Sequence, residues 1–164
     1  MAYDTIIKTK RDGTMTLRDN AGTNSLVIAY EAGDLSITIP GPTVVSTLDR
    51  GAFGATPSLR YGDDQPCTFS FTAYLRDMRD DAVATLEDLI SGRSGAASTW
   101  DSTLGDDAEV FTMTLEWVIE GSDHGGADHT VTLTHCVVTG SFSEGDPSTV
   151  NITGTAFDLY PTVS

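Results

Sequence analysis

Apolar and polar residues alternate with a period of two through most of this chain. The clearest case runs from Cys67 to Arg76, where Cys67, Phe69, Phe71, Ala73 and Leu75 share one face and Thr68, Ser70, Thr72, Tyr74 and Arg76 the other. Such alternation marks a strand with one face in a core and one face in water. Val110 to Glu120 repeats the pattern, with Phe111, Met113, Leu115, Trp117 and Ile119 on the apolar side. Leu35, Ile37 and Ile39 alternate with Ser36 and Thr38, and shorter strands are predicted over Thr14–Arg18 and Leu26–Tyr30, around the turn Asp19–Gly22. Thr130 to Phe142 begins in alternation at Val131 and Leu133. Its run Cys136-Val137-Val138 then predicts a bulge or a stretch buried on both faces. A last strand, Thr149 to Leu159, ends before Pro161.

The period changes once. Val83, Leu86, Leu89 and Ile90 follow helical spacing, with Asp80 placed to cap the helix and Gly92 to end it. Its single apolar stripe predicts packing against a sheet. Between Thr43 and Pro66 the alternation weakens, and Gly51, Gly54, Pro57, Gly62 and Pro66 interrupt it. This stretch is predicted to be a long loop or an irregular hairpin, and loops of that length tend to be either functional or disordered. Phe53 stands at a glycine-flanked tip, where it can fold back or reach a neighbour.

Together these elements predict a mainly β protein: an antiparallel β-sandwich or barrel with one flanking α-helix at about residues 80–91. The 164 residues suit one domain, with an N-terminal arm over 1–12 and the long loop over 43–66. Thr, Ser and sixteen Gly spread along the chain agree with many short strands joined by turns. No segment approaches the roughly 20 apolar residues needed to cross a bilayer, so no membrane role is expected. The start, Met1-Ala2-Tyr3-Asp4, lacks an apolar signal core, which makes cytoplasmic synthesis the expectation. Cys67 and Cys136 both lie in apolar-alternating segments and are expected to be buried free thiols.

Charge narrows the function. The net charge is −15, and it is uneven: residues 1–60 hold six bases and six acids, the remainder three bases and 18 acids. A surface of that sign repels phosphates, so specific nucleic-acid binding is not expected.

Candidate chemistry is sparse. His124, His129 and His135, with Asp123, Asp128 and Cys136 nearby, match no zinc-ligand spacing, and turn histidines explain them better. The pairs Asp63-Asp64, Asp80-Asp81 and Asp106-Asp107 fit no calcium loop. No nucleophile elbow, phosphate-cradling loop or dinucleotide fingerprint occurs. No cofactor, no metal and no enzymatic activity are therefore expected. Trp117 belongs to an apolar strand face, whereas Trp100 lies in a loop and is the more open to a binding role.

Several segments, in order, resemble the tail tube (major tail) proteins of bacteriophages. They are Gly33–Ser36 leading to Pro40-Gly41-Pro42, Leu48–Gly51, Leu59–Pro66 running into the strand Thr68–Leu75, Val138–Phe142, Glu144–Pro147 and Val150–Gly154. The resemblance spans roughly Gly13 to Pro161. It implies subunits that form hexameric rings, with strands from each copy joined in one inner barrel, and rings stacked into the conduit for DNA ejection. It also implies the tape measure, tail terminator and tail tip proteins as partners, and a place in the virion tail, with synthesis in the host bacterial cytoplasm. DNA would pass through the lumen without specific binding, and an acidic lumen would let it slide. On the same basis Lys8, Lys10, Arg11, Arg50 and Phe53 are candidates for contacts between subunits or rings.

Three other readings stay open. One is the inner tube of a related contractile injection or secretion machine. Another is a monomeric carbohydrate-binding β-sandwich using Trp100 or Tyr74 as a stacking platform. The last is a small hydrolase using a loop carboxylate such as Asp106 with a histidine such as His129.

Overall fold

The computed structural model describes residues 13–28, 34–48, 57–75, 85–91, 100–105, 109–119 and 127–164. The alternating segments become strands β1 (Gly13–Arg18), β2 (Ser25–Ile28), β3 (Ser36–Thr38), β4 (Val44–Leu48), β5 (Pro57–Tyr61), β6 (Cys67–Tyr74), β7 (Met113–Ile119), β8 (His129–Ser143), β9 (Thr149–Ala156) and β10 (Thr162–Val163), with one helix, α1 (Leu86–Ser91), between β6 and β7. The fold is mainly β and antiparallel, as the alternation predicts. β10 lies beyond the strand expected to end the chain. After Pro161 the chain continues along β8 in the direction of β9, and Thr162 and Val163 pair with Thr132 and Val131.

Eight strands form one sheet in the order β2-β1-β7-β8-β9-β6-β3, with β10 added beside β8. The long β8 belongs to both halves. Its first part, from His129 to Cys136, pairs with β7, and its second part, from Cys136 to Ser143, pairs with β9. The predicted bulge lies at this junction. Leu115 faces Leu133 and Met113 faces Cys136, so β8 carries one residue more than β7 over that interval. His135, at φ 51°, occupies the left-handed region there. A bulge of this kind bends a strand and increases its twist.

The bend brings both halves around one core. Met15 and Leu17 of β1, Met113 and Leu115 of β7 and Leu133 of β8 join Phe69 and Phe71 of β6 and Val150 and Ile152 of β9 in a single buried cluster. Cross-strand register stacks them in rows, such as Ile37, Phe69, Gly154 and Val138, and Phe71, Ile152 and Gly140. Each fully buried Leu or Ile stabilises the fold by roughly 1.5–3 kcal/mol.

The helix is placed where expected but its described part is shorter. Asp80, the expected cap, and Gly92 lie outside the described residues. The described helix is capped by Thr85, whose backbone N–H and hydroxyl both donate to Asp88 Oδ2, at 3.0 and 2.9 Å, while the Asp88 N–H donates to Thr85 Oγ1 at 3.3 Å. This is a reciprocal capping box, with Asp where Glu is usual. Leu89 is buried, and Ile90 lies over Gly140, where a Cβ would come 2.5 Å from its Cδ1. The missing side chain lets the helix sit against β8.

The stretch read as a long loop or an irregular hairpin is a hairpin. β4 and β5 pair from Val44–Tyr61 to Leu48–Pro57 as a separate two-stranded ladder. It continues the β3–β6 pair outward from the end of the sheet. Its base is tied by Thr43 N–H to Asp63 O at 3.2 Å, by Gly62 N–H to Thr43 O at 2.7 Å and by the Thr43 hydroxyl to Asp63 O at 3.0 Å.

Candidate functional site

The residues singled out for subunit contacts, Lys8, Lys10, Arg11, Arg50 and Phe53, all lie outside the described residues. The structure points instead to edges and faces of the sheet.

The half made of the second part of β8, β9, β6 and β3 has four strands in that order. One rim is β3, which pairs with β6 and, among the described residues, with no other strand. Asp34 prolongs this rim, its Oδ2 accepting from the Thr72 N–H at 2.8 Å. The other rim is Val137–Ser143 of β8, which pairs with β9 after β7 has ended at Cys136. Unpaired strand rims invite pairing with another chain.

The outward face of this half is unusual in chemistry. It presents Ser36 and Thr38 from β3, and Thr68, Ser70, Thr72 and Tyr74 from β6. From β9 and β8 it presents Thr149, Asn151, Thr153 and Thr155, then Val137, Thr139, Ser141 and Ser143. None of these fourteen positions is charged. Several of these polar side chains bond to one another: Thr139 Oγ1 to Thr153 Oγ1 at 3.0 Å, Thr72 Oγ1 to Asn151 Oδ1 at 3.2 Å, and Asn151 Nδ2 to Ser143 Oγ at 3.2 Å. A shallow depression of about 430 Å³ spans all four strands, with Phe157 among its lining residues. The other half differs, for its outward face carries Arg18, whose Nε donates to Glu116 Oε2 at 2.5 Å.

Apolar side chains are exposed at one end of the four-stranded half. On the hairpin, Val44, Leu59 and Tyr61 share one face and are 62%, 66% and 81% exposed. At the same end, between β9 and β10, Phe157, Leu159 and Tyr160 are exposed. The segment that carries them is held at several points. Phe157 N–H donates to His135 O at 3.3 Å, Thr134 donates through N–H and hydroxyl to Asp158 Oδ2, and Cys67 Sγ–H points to Leu159 O at 3.7 Å. The opposite end is the β8–β9 turn, with Glu144 and Asp146 and, beside it, Phe142 at 48% exposure.

The other candidates resolve as follows. Trp100, expected to be open, is buried at 8% exposure among core residues, so it offers no stacking platform. Its segment is drawn inward by a hydroxyl network: Ser102 Oγ lies 3.1 Å and Thr103 Oγ1 2.6 Å from Thr112 Oγ1, and Thr103 Oγ1 lies 3.0 Å from His135 Nδ1. This network links that segment to the bulge, a tie that spacing alone does not reveal. His129 and His135 sit apart in the ladder, His124 is outside the described residues, and the described residues hold no group of three metal-ligating side chains. Cys67 and Cys136 are free and buried, as expected. Burial, first of all, pushes the Cys136 thiol up to about 12, and it raises Cys67 as well, with the Asp158 charge adding to both. Among the described residues no helix is long and apolar enough to cross a membrane.

No protein-family model matches the chain, and no curated protein matches it. Among solved structures, the chain is similar to one in the cryo-EM structure of an extracellular contractile injection system, described as the PVC sheath/tube terminator in its extended state. The match has a TM-score of 0.59 and 13% identity, and covers 99% of this chain and 98% of that one. The fold is shared over the whole chain. At this identity, fold is what the likeness establishes.

Proposed function

We propose that the chain is a structural subunit of a tail-like injection apparatus and assembles with copies of itself into hexameric rings, stacked as a tube through which DNA leaves a phage capsid. The observation that carries this reading is the four-stranded half-sheet, both of whose rims are unpaired among the described residues. The β3 rim of one copy can add to the Val137–Ser143 rim of the next, and a heterologous contact repeated by rotation closes a ring. The whole-chain fold likeness to a component of a contractile injection machine supports it. Stacking would use the two ends of the half-sheet. The exposed Val44, Leu59 and Tyr61, with Arg60 beside them on the hairpin, would meet Phe142, Glu144 and Asp146 of the next ring. The chain would act by assembly and carry out no chemical step.

A second reading is favoured by the neighbour being described as a sheath/tube terminator. On that reading the subunit forms one ring that closes a tube instead of extending it. Negative-stain electron microscopy of the purified protein, concentrated at low and moderate salt, separates the two. Hollow tubes of uniform width support the tube, and single rings that never stack support the terminator. A field of monomers under every condition, including addition of tail-tip assemblies as nuclei, would overturn both.

A further inference from the structure

We propose that the hydroxyl face of β3, β6, β9 and the second part of β8 is the wall of the bore, and that this wall is uncharged. The inference rests on the ring reading above and adds which surface faces the axis. Once β3 pairs with β8 of a neighbour, the four-stranded half has one face committed to its own core and one face free. That free face carries the depression that draws on all four of its strands. A sheet closed into a barrel by rotation turns one face to the axis, and the face of Phe69, Phe71, Val150 and Ile152 is already taken by the subunit's own core.

The chemistry points the same way. In a chain of net charge −15, fourteen outward positions without a single carboxylate or cation form a separate kind of surface. Among the described residues, the acids flanking these strands are Asp63, Asp64, Glu144, Asp146 and Asp158 in the connections, and Asp34 on the β3 rim, whose Oδ2 accepts from the Thr72 N–H. That arrangement leaves the fourteen outward positions themselves without charge. The surface is also poor in the groups that hold partners. Interface cores favour aromatics, Met and Arg, whereas the fourteen positions of this face hold one aromatic, Tyr74, at its margin, and otherwise hydroxyls with Val137 and Asn151. Some of these groups satisfy each other within the face, as Thr139 does with Thr153 and Asn151 with Thr72 and Ser143. A polymer moving along such a wall meets no cation that would hold a phosphate and no carboxylate that would repel one.

The test places a thiol on each face. Thr153→Cys lies on the hydroxyl face, and Thr14→Cys on the exposed outward face of the other half; the native Cys67 and Cys136 are buried and give the background. Assembled rings are labelled with a maleimide gold cluster and viewed end-on by electron microscopy. The expected result is gold inside the ring for Thr153→Cys and on the perimeter for Thr14→Cys. Gold on the perimeter for Thr153→Cys, or labelling of its monomers but not of its rings, would overturn the assignment. Thr153→Lys should leave ring yield within about twofold of native, because a bore residue touches no neighbour; a loss of about tenfold or more with a folded monomer would mark a subunit contact instead. If the native protein itself forms no rings, the assembly reading falls and this one with it. If it forms rings labelled on the outside, the bore assignment falls alone.

Discussion

The ring of Phe69 lies across Gly154, its cross-strand partner, so closely that a Cβ at residue 154 would stand 2.2 Å from Phe69 Cζ. Both are in the row that joins β3, β6, β9 and β8, and Phe69 is itself buried and stacked near Phe71 at a centroid distance of 6.4 Å. Gly154→Ala therefore has no free space to fill and should destabilise by about 1–3 kcal/mol. Combining it with Phe69→Leu should recover part of that loss. Urea denaturation of the two single variants and the double variant checks this; simple additivity would show that the two positions are not in contact.

His135 provides a second test. It holds φ at 51° in the bulge, with Nδ1 3.0 Å from Thr103 Oγ1. Valine strongly disfavours that backbone region and cannot make the hydrogen bond, so His135→Val should cost about 2–3 kcal/mol. Asn tolerates the left-handed region, and His135→Asn should cost less than about 1 kcal/mol. Equal losses in thermal melts of the two variants would show that backbone strain is not what His135 absorbs.

The strands themselves were the legible part of this fold, and the reason is local. In β6 and β7 every inward residue announces itself by alternation, and the run at Cys136 marks the bulge within a residue or two. β10 is two residues long, too short for any period. Trp100 sits in a polar stretch, and its burial depends on Ser102, Thr103 and Thr112 meeting across separate segments. The hydroxyl face was visible one strand at a time, as Thr68, Ser70 and Thr72, or as Thr153 and Thr155. That four such faces join in one wall follows from strand order, which pairing between distant segments decides. The basic arm and Phe53, chosen from sequence as contact residues, lie outside the described residues, while Val44, Leu59 and Tyr61 emerge because the hairpin leaves them exposed.

The thiols predict a pH dependence of definite sign. Burial pushes the Cys136 thiol up to about 12 from 9.0 for an ordinary thiol, and it raises Cys67 in the same direction. Below about pH 9 both states hold the proton and the thiols contribute no dependence. Above it the unfolded chain loses the proton that the folded chain keeps, so stability falls as pH rises toward 12, by up to about 1.4 kcal/mol per pH unit for Cys136. Denaturant midpoints between pH 8 and pH 11 should show this fall, and Cys136→Ala should flatten it after allowance for its own cavity cost. The native protein should also resist thiol reagents at pH 8 until it is unfolded, and rapid modification of the folded form would contradict the burial.

The hairpin separates assembly from folding. Leu59 and Tyr61 project from β5 on an exposed face, outside the core cluster. Replacing either with Glu removes no buried contact, so Leu59→Glu and Tyr61→Glu should change monomer stability by less than about 0.5 kcal/mol. In the stacked arrangement the same side chains would be desolvated against the next ring and face the acidic turn at Glu144 and Asp146. A new carboxylate there loses apolar contact and adds like-charge repulsion, so stacking should fail while ring closure through β3 and β8 survives. The expected outcome is single rings in place of tubes, with unchanged circular dichroism and melting temperature. Asp146→Lys combined with Tyr61→Glu restores opposite charges across the contact and should return part of the stacking, more so at low salt. Tubes of normal length from Tyr61→Glu alone would remove the hairpin from the stacking contact, and loss of rings as well as tubes would place it in the ring itself.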